Sequence, residues 1–526
     1  MLKRAGVLAA LTLLATASGL AREAVAAYAL GTSATADAMA VAVFLVDLVN
    51  ALFLTGGLGY ALVPTIQRLR RTGGDATAHA LVGAVVARLV LLAAAICLIA
   101  LAVPRVAARA SLGPVDSAVA AHTIALLRGG LVAVAIMAPA GALGAALYAF
   151  DRFGVAAWAR LGWNAVAALA LIALVSLPPL VRAETALVLA SLTALGIVAA
   201  AFLGPAVRPT LRLTHPALGT VMAAAAPGVV AVIFGNALLG LWERSLLGQL
   251  GPGSISVANY AQRASYAASI LSLSVHTVAF NSIVTALHSG GGAAVTHLVG
   301  RLLRRTLLLL GPLVAVMVIA RVEIVALLYG RGAFDPASVR LTADLFGLFS
   351  LDVMLVFIMG LLLRVMYALE RPWAAALPTI VSAVIAAAAD TALIGRFGER
   401  AIPIGYGVGL IAGIGTAVAQ IRRLAGVRLL GWIARSAALS AGLALVGGTL
   451  AWAGARLLLP GDAESPAGVV GAGWRHAAAL GGTVVVNGLL AAAAVLALAA
   501  VLRVKEVSEL VTWLRDWRDG RQPQVT

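Results

Sequence analysis

Residues 22–64 read REAVAAYALGTSATADAMAVAVFLVDLVNALFLTGGLGYALVP, and this stretch decides the fold. Arg22, Glu23, Asp37 and Asp47 are set into two segments whose other residues are those of lipid-facing helices. An ionised side chain at the centre of a bilayer costs roughly 2.5–3.5 kcal/mol on insertion scales, so it faces a partner or a water-filled cavity. Two successive helices that both carry such groups point to a polar chamber inside a membrane bundle.

Composition agrees with that reading along the whole chain. The 526 residues are 62% hydrophobic and 11% charged, with a mean hydropathy of +1.03. A soluble domain would be about 45–50% apolar and about 25% charged. Apolar runs of bilayer-crossing length recur from end to end, without the ten-residue alternation of a membrane β-barrel. The expected fold is an all-α polytopic membrane protein.

Fourteen spans are expected, near 5–29, 36–64, 79–103, 119–149, 155–177, 184–204, 217–242, 256–286, 304–329, 339–368, 373–395, 402–421, 433–457 and 475–502. The first is read as a retained membrane helix, because the chain stays apolar past Ala29 where a signal peptide would give way to polar sequence. Pro139 and Pro227 fall inside spans and are expected to kink them. Arginines cluster in alternate loops, at Arg68, Arg70 and Arg71, at Arg208 and Arg212, at Arg301, Arg304 and Arg305, and at Arg422, Arg423 and Arg428. That bias places both termini in the cytoplasm. It also accounts for the net charge of +17 without a nucleic-acid partner. Beyond Lys505, Val507, Leu510, Val511, Leu514 and Trp517 recur at helical spacing, as in an interfacial helix.

The chain reads as internally repeated. Glu23 precedes Gly31 by eight residues, and Glu243 precedes Gly251 by eight. Each block opens a group of six spans, the pattern of transporters built from repeats around a central site. The expected organisation is a six-helix lobe over 1–210, a second over 211–425, two further helices over 426–502 and an amphipathic cytoplasmic tail over 503–526.

Arginine suits a cavity that receives phosphate, since its planar fork donates paired hydrogen bonds and keeps its charge when partly buried. Arg22 from one lobe and Arg263 from the other would receive a pyrophosphate. Asp37, Asp47 and Glu243 would hold the arginines when the cavity is empty, or take a coupling ion or proton. Arg22 and Glu23 point about 100° apart on a helix, so each is expected to need its own partner. Arg244, Arg364 and Asp390 lie near span ends and are read as snorkelling to the interface. No HExxH, GxSxG, Walker A or Asp-rich magnesium motif is present. Cys97 stands alone. Neither catalytic residues, a metal site nor a cofactor is expected.

The residues themselves resemble a family. Ser18-Gly19-Leu20-Ala21-Arg22-Glu23 with Gly31 and Ala36-Asp37-Ala38 is similar to the opening signature of the MurJ/MviN lipid II flippases. Phe53-Leu54-Thr55-Gly56-Gly57 running to Pro64 resembles the same family, as does Gly253-Ser254-Ile255-Ser256 with Tyr260-Ala261-Gln262-Arg263. The most specific match is Leu327-Leu328-Tyr329-Gly330-Arg331-Gly332-Ala333-Phe334-Asp335.

The resemblance implies the multidrug/oligosaccharidyl-lipid/polysaccharide exporter fold: two six-helix lobes around a cavity, with two C-terminal helices forming a groove for a lipid tail. It implies a flippase in the bacterial cytoplasmic membrane that carries an undecaprenyl-pyrophosphate-linked peptidoglycan precursor to the outer leaflet by alternating access. Arg22, Asp37 and Arg263 then match residues of the cavity or its outer gate, and Glu243 stands where the family often has an acid. Partners implied are the lipid-linked glycan pyrophosphate, membrane lipids, and a coupling ion or the membrane potential. The sequence departs from the family at Thr16 and Asn50-Ala51, where members usually carry arginines. A relative that moves another polyprenyl-linked oligosaccharide fits the same pattern.

Overall fold

The computed structural model describes residues 2–52, 58–102, 117–150, 152–202 and 213–458, with 481–482, 484–486 and 488–490. The last expected span lies mostly outside the described residues, and the tail beyond Lys505 wholly so. Among the described residues there is helix and turn but no strand.

The helices are α1 (Leu2–Leu30), α2 (Ala34–Asn50), α3 (Leu58–Ala102), α4 (Ser117–Ala149), α5 (Phe153–Ala173), α6 (Pro179–Phe202) and α7, which runs from Leu218–Val232 through a π-helical segment at Ile233–Leu238 into Leu239–Gly248. They continue as α8 (Ser254–Tyr266), α9 (Ile270–Ile319), α10 (Arg321–Tyr329), α11 (Pro336–Ala368), α12 (Pro372–Phe397), α13 (Ala401–Ala425) and α14 (Leu430–Leu458). Eight helical stretches among the described residues are long and apolar enough to cross a bilayer, and Pro336–Ala368 is the most apolar of them.

Expected spans and observed helices differ where the chain turns without leaving helix. α3 breaks at Gly74, so its first part completes the second span and the remainder forms the third. α9 breaks likewise at Gly291, between the eighth and ninth spans. Helix α4 runs unbroken past Pro139. Helix α7 runs past Pro227 and widens to the π form six residues later, where freed backbone groups find new partners.

Helices pack most densely within each half of the chain. In the first half α4 lies against α2, α3 and α6, and α1 lies against α5. In the second α11 lies against α8, α9 and α13, α12 pairs with α13, and α14 lies along α9. Buried alanines such as Ala27, Ala38, Ala42, Ala146, Ala186 and Ala190 line the first core. In lipid no hydrophobic force drives apolar helices together, so small side chains that allow close backbone approach hold the bundle by dispersion.

Both halves turn corners in the same way. The turn after α1 carries Gly31 at φ +60°, and the turn before α8 carries Gly251 at +117° and Gly253 at +100°. Helix α4 ends in Tyr148-Ala149 followed by Phe150-Asp151-Arg152, and α11 ends in Tyr367-Ala368 followed by Leu369-Glu370-Arg371. These corners lie 219 residues apart and the Glu23/Glu243 pair 220.

The halves are sealed together at the Gly31 end. The Ala333 N–H donates to the Tyr28 carbonyl at 2.9 Å, and the Tyr260 hydroxyl donates to the Gly31 carbonyl at 3.2 Å. Thr32 and Ser338 share a hydroxyl hydrogen bond of 2.7 Å. Behind this seam Tyr260, Tyr329 and Phe334 form a buried aromatic cluster with centroids 5.3–5.9 Å apart. A Cβ on Gly253 would stand 2.6 Å from the Thr32 carbonyl oxygen, so the close approach of the two turns needs glycine there.

Candidate functional site

A cavity of about 220 Å³ lies below the sealed end. Its walls come from α1, α2, α4, α5 and α6 of the first half and from α8 of the second. On α5 the lining residues Ala156, Ala159, Arg160, Trp163 and Asn164 recur at the i, i+3, i+4 spacing of one helix face. On α1 they include Thr16, Gly19 and Arg22, and on α2 Asp47 and Asn50.

Arg22 and Arg263 both line this one cavity, from opposite halves. Arg22 is buried, with its guanidinium 4.7 Å from the centre of the Trp163 ring, a cation–π contact. It also pairs directly with Glu23, contrary to the expectation that adjacent charges need separate partners. The three-carbon arginine stem bends far enough to close the pair, and away from water the closed pair is favoured. Glu23 has further partners in the second half: it accepts from Asn259 Nδ2 at 3.3 Å and lies 3.8 Å from Arg263 Nε.

Arg263 forms a salt bridge and hydrogen bond with Asp47. That contact joins α8 to α2 across the seam. The network therefore runs from the buried Trp163, Arg22 and Glu23 to the partly exposed Arg263 and Asp47. Asn164 is spent on the Ala15 carbonyl at 3.3 Å and the Ser18 hydroxyl at 3.0 Å, and the Trp163 indole donates to Ser191 Oγ at 3.2 Å.

Two of the sequence candidates stand elsewhere. Asp37 is fully buried and accepts the backbone N–H groups of Gly253 at 2.6 Å and Ser256 at 2.7 Å. A first-half carboxylate thus caps the first turn of a second-half helix, where free N–H groups and the helix dipole favour an anion. Glu243 is buried inside the second half, with Asp390 within electrostatic reach.

Arg244 and Asp390 do not snorkel. Arg244 is buried with its guanidinium 3.8 Å from the centre of the Phe44 ring, and Nη1 donates to the Gly240 carbonyl at 2.9 Å. Asp390 is fully buried on α12 against Gly405 of α13, and neither of its oxygens has a hydrogen-bond partner among the described residues. Distance from a span end says how far a side chain could reach, while the neighbouring helix decides whether the way to the interface is open.

Arg160 is the cavity residue that sequence reasoning passed over. It lies six positions into an expected span and resembles an arginine that reaches for the interface. Its spacing of three and four residues from Trp163 and Asn164 was the available signal.

A helical membrane bundle whose two halves close over a charged internal cavity is the class that this fold and site define: a multi-pass carrier-type fold. A family model described as lipid II flippase MurJ matches residues 26–462, and the chain belongs to that family. Among solved structures, "Lipid II flippase MurJ, inward closed conformation" is similar with a TM-score of 0.77 at 13% identity, over 94% of this chain and 99% of that one. An inward-facing multidrug resistance MATE family transporter of the MOP superfamily follows at a TM-score of 0.66 and 16% identity, over 79% of this chain and 94% of that one. A MOP superfamily transporter from Pyrococcus furiosus gives 0.58 at 15% identity, over 79% and 94%. No curated protein sequence matches the chain. At these identities the structures establish the fold.

Proposed function

We propose that the protein is a lipid II flippase of the bacterial cytoplasmic membrane, carrying the undecaprenyl-pyrophosphate-linked precursor from inner to outer leaflet by alternating access. The observation that carries this reading is the convergence of Arg22 and Arg263, from opposite halves, on one internal cavity. Pyrophosphate would exchange for Asp47 and Glu23 as the partner of these guanidiniums, each a bidentate match for phosphate oxygens. We take residues 1–210 and 211–425 as the two moving bodies, 426–502 as the lipid-tail helices and both termini as cytoplasmic.

In this reading the Gly31 end is the outer gate, and the Asp37 cap on α8 is its latch. With Asp47 engaged by Arg263, the buried carboxylates left for a coupling ion or proton in the second half are Glu243, Asp352 and Asp390. The protein acts as a carrier and forms no covalent intermediate.

A second reading, carriage of another polyprenyl-linked oligosaccharide, is favoured by one observation. Thr16 and Asn50, which stand where the family usually has arginine, both line the cavity. Complementation of cells depleted of their own lipid II flippase, with outer-leaflet lipid II measured directly, separates the two. Rescue that depends on Arg22 and Arg263 supports lipid II, and stable expression without rescue supports the other glycan.

A further inference from the structure

Five charged residues form or pair at the cavity, and their pairing is unequal. Arg22 is paired with Glu23, and Arg263 with Asp47. The third cavity arginine, Arg160 on α5, is exposed within the cavity wall and has no hydrogen bond or ion pair among the described residues. Three guanidiniums face two carboxylates, and the uncompensated positive charge sits on Arg160.

Arg160 acts on the network nevertheless, because Asp47 lies in the field of Arg160, Arg22 and Arg263 together. An anion entering the cavity meets two arginines that must first give up a carboxylate, and one that is already free. The α5 face holds that side chain in place from below and above, with Ala156 one turn before and Trp163 and Asn164 one turn after.

We propose that Arg160 is a third anion-binding residue of the cavity, the one that engages the substrate's pyrophosphate first and lets it compete with Asp47 for Arg263. This rests on the reading of the protein as a carrier of pyrophosphate-linked lipid. The second negative charge of the pyrophosphate then falls to Arg263. Its release from Asp47 breaks the α2–α8 bridge, so Arg160 couples arrival of substrate to loosening of the halves. The position also supplies, from α5, positive charge that Thr16 and Asn50 do not.

The test is binding of undecaprenyl pyrophosphate, with undecaprenol as the uncharged control, to the full-length protein in nanodiscs. Arg160→Gln should weaken undecaprenyl pyrophosphate about ten- to a hundredfold, the loss of one charged hydrogen-bonding partner, and leave undecaprenol unchanged. Arg160→Lys should recover part of the affinity, and the difference between wild type and Arg160→Gln should shrink as salt is raised, because this side chain is solvated. Equal affinity of wild type and Arg160→Gln for the pyrophosphate at low salt would overturn the assignment of Arg160 alone. Failure of the wild-type chain to prefer undecaprenyl pyrophosphate over undecaprenol would overturn both this assignment and the carrier reading beneath it.

Discussion

The Asp37 carboxylate accepts the backbone N–H of Ser256 at 2.7 Å, joining residues 219 positions apart across the seam between the halves of the chain. The same carboxylate holds Gly253 at 2.6 Å. The N–H groups of Gly253 and Ser256, where α8 begins, are therefore satisfied by a carboxylate from the other half of the chain. A carboxylate that completes a helix cap in one state and not in the other biases the equilibrium by its capping energy, about 0.5–2 kcal/mol.

Asp37→Ala is accordingly expected to open that end. In a Cys97→Ser background, a cysteine placed at Thr32 should react severalfold faster with a membrane-impermeant thiol reagent when Asp37 is alanine. An unchanged rate would mean that the cap is local decoration and not a latch.

The Asp47–Arg263 pair separates two roles for Arg263. Arg263→Ala is expected to abolish transport with the protein still in the membrane. If the residue served only to bridge α2 and α8, the exchanged pair Asp47→Arg with Arg263→Asp would restore activity. We expect no restoration in a flipping assay with reconstituted vesicles, because the guanidinium must face the substrate from α8.

Glycine at 253 is required by both backbone and space. Gly253→Ala places a side chain at φ +100° and 2.6 Å from the Thr32 carbonyl oxygen, a strain of about 1–3 kcal/mol. Thermal melting of the purified protein should drop by several degrees. Gly196→Ala on α6, where nothing lies within 4 Å of the added atom, should melt at or slightly above the wild-type temperature.

Trp163 gives the buried Arg22 its ring face. Trp163→Phe keeps an aromatic face, and Trp163→Leu removes it. Binding of undecaprenyl pyrophosphate by detergent-solubilised protein should survive the first change within a fewfold. The second should cost about tenfold through a misplaced Arg22, the scale of one partly desolvated cation–π contact.

Much of the architecture was legible in the chain alone. Length of apolar run is a direct consequence of bilayer thickness, so the thirteen spans up to residue 457 could be placed before any contact was known. The charges at Arg22, Glu23, Asp47 and Arg263 were legible for the same reason, because lipid penalises them and their presence needs a cavity. The breaks at Gly74 and Gly291 fall in the polar connections expected between those spans, but that the chain turns there at a single glycine with helix on both sides was not legible.

Within one helix, sequence spacing tells which residues share a face. It does not tell which face meets lipid and which meets another helix. That is why Asp390 and Arg244 read as interfacial and are buried, why Arg160 went unremarked, and why Arg22 and Glu23 were expected to part. By itself, the amino-acid sequence determined a polytopic helical bundle and the presence of buried charge, because each follows from local transfer energy. Only the tertiary structure decided that Asp37 caps α8, that Asp47 holds Arg263 and that Arg160 is left unpaired among the described residues. Those facts depend on which atoms of distant helices come within 3 Å of one another, and no local energy contains them.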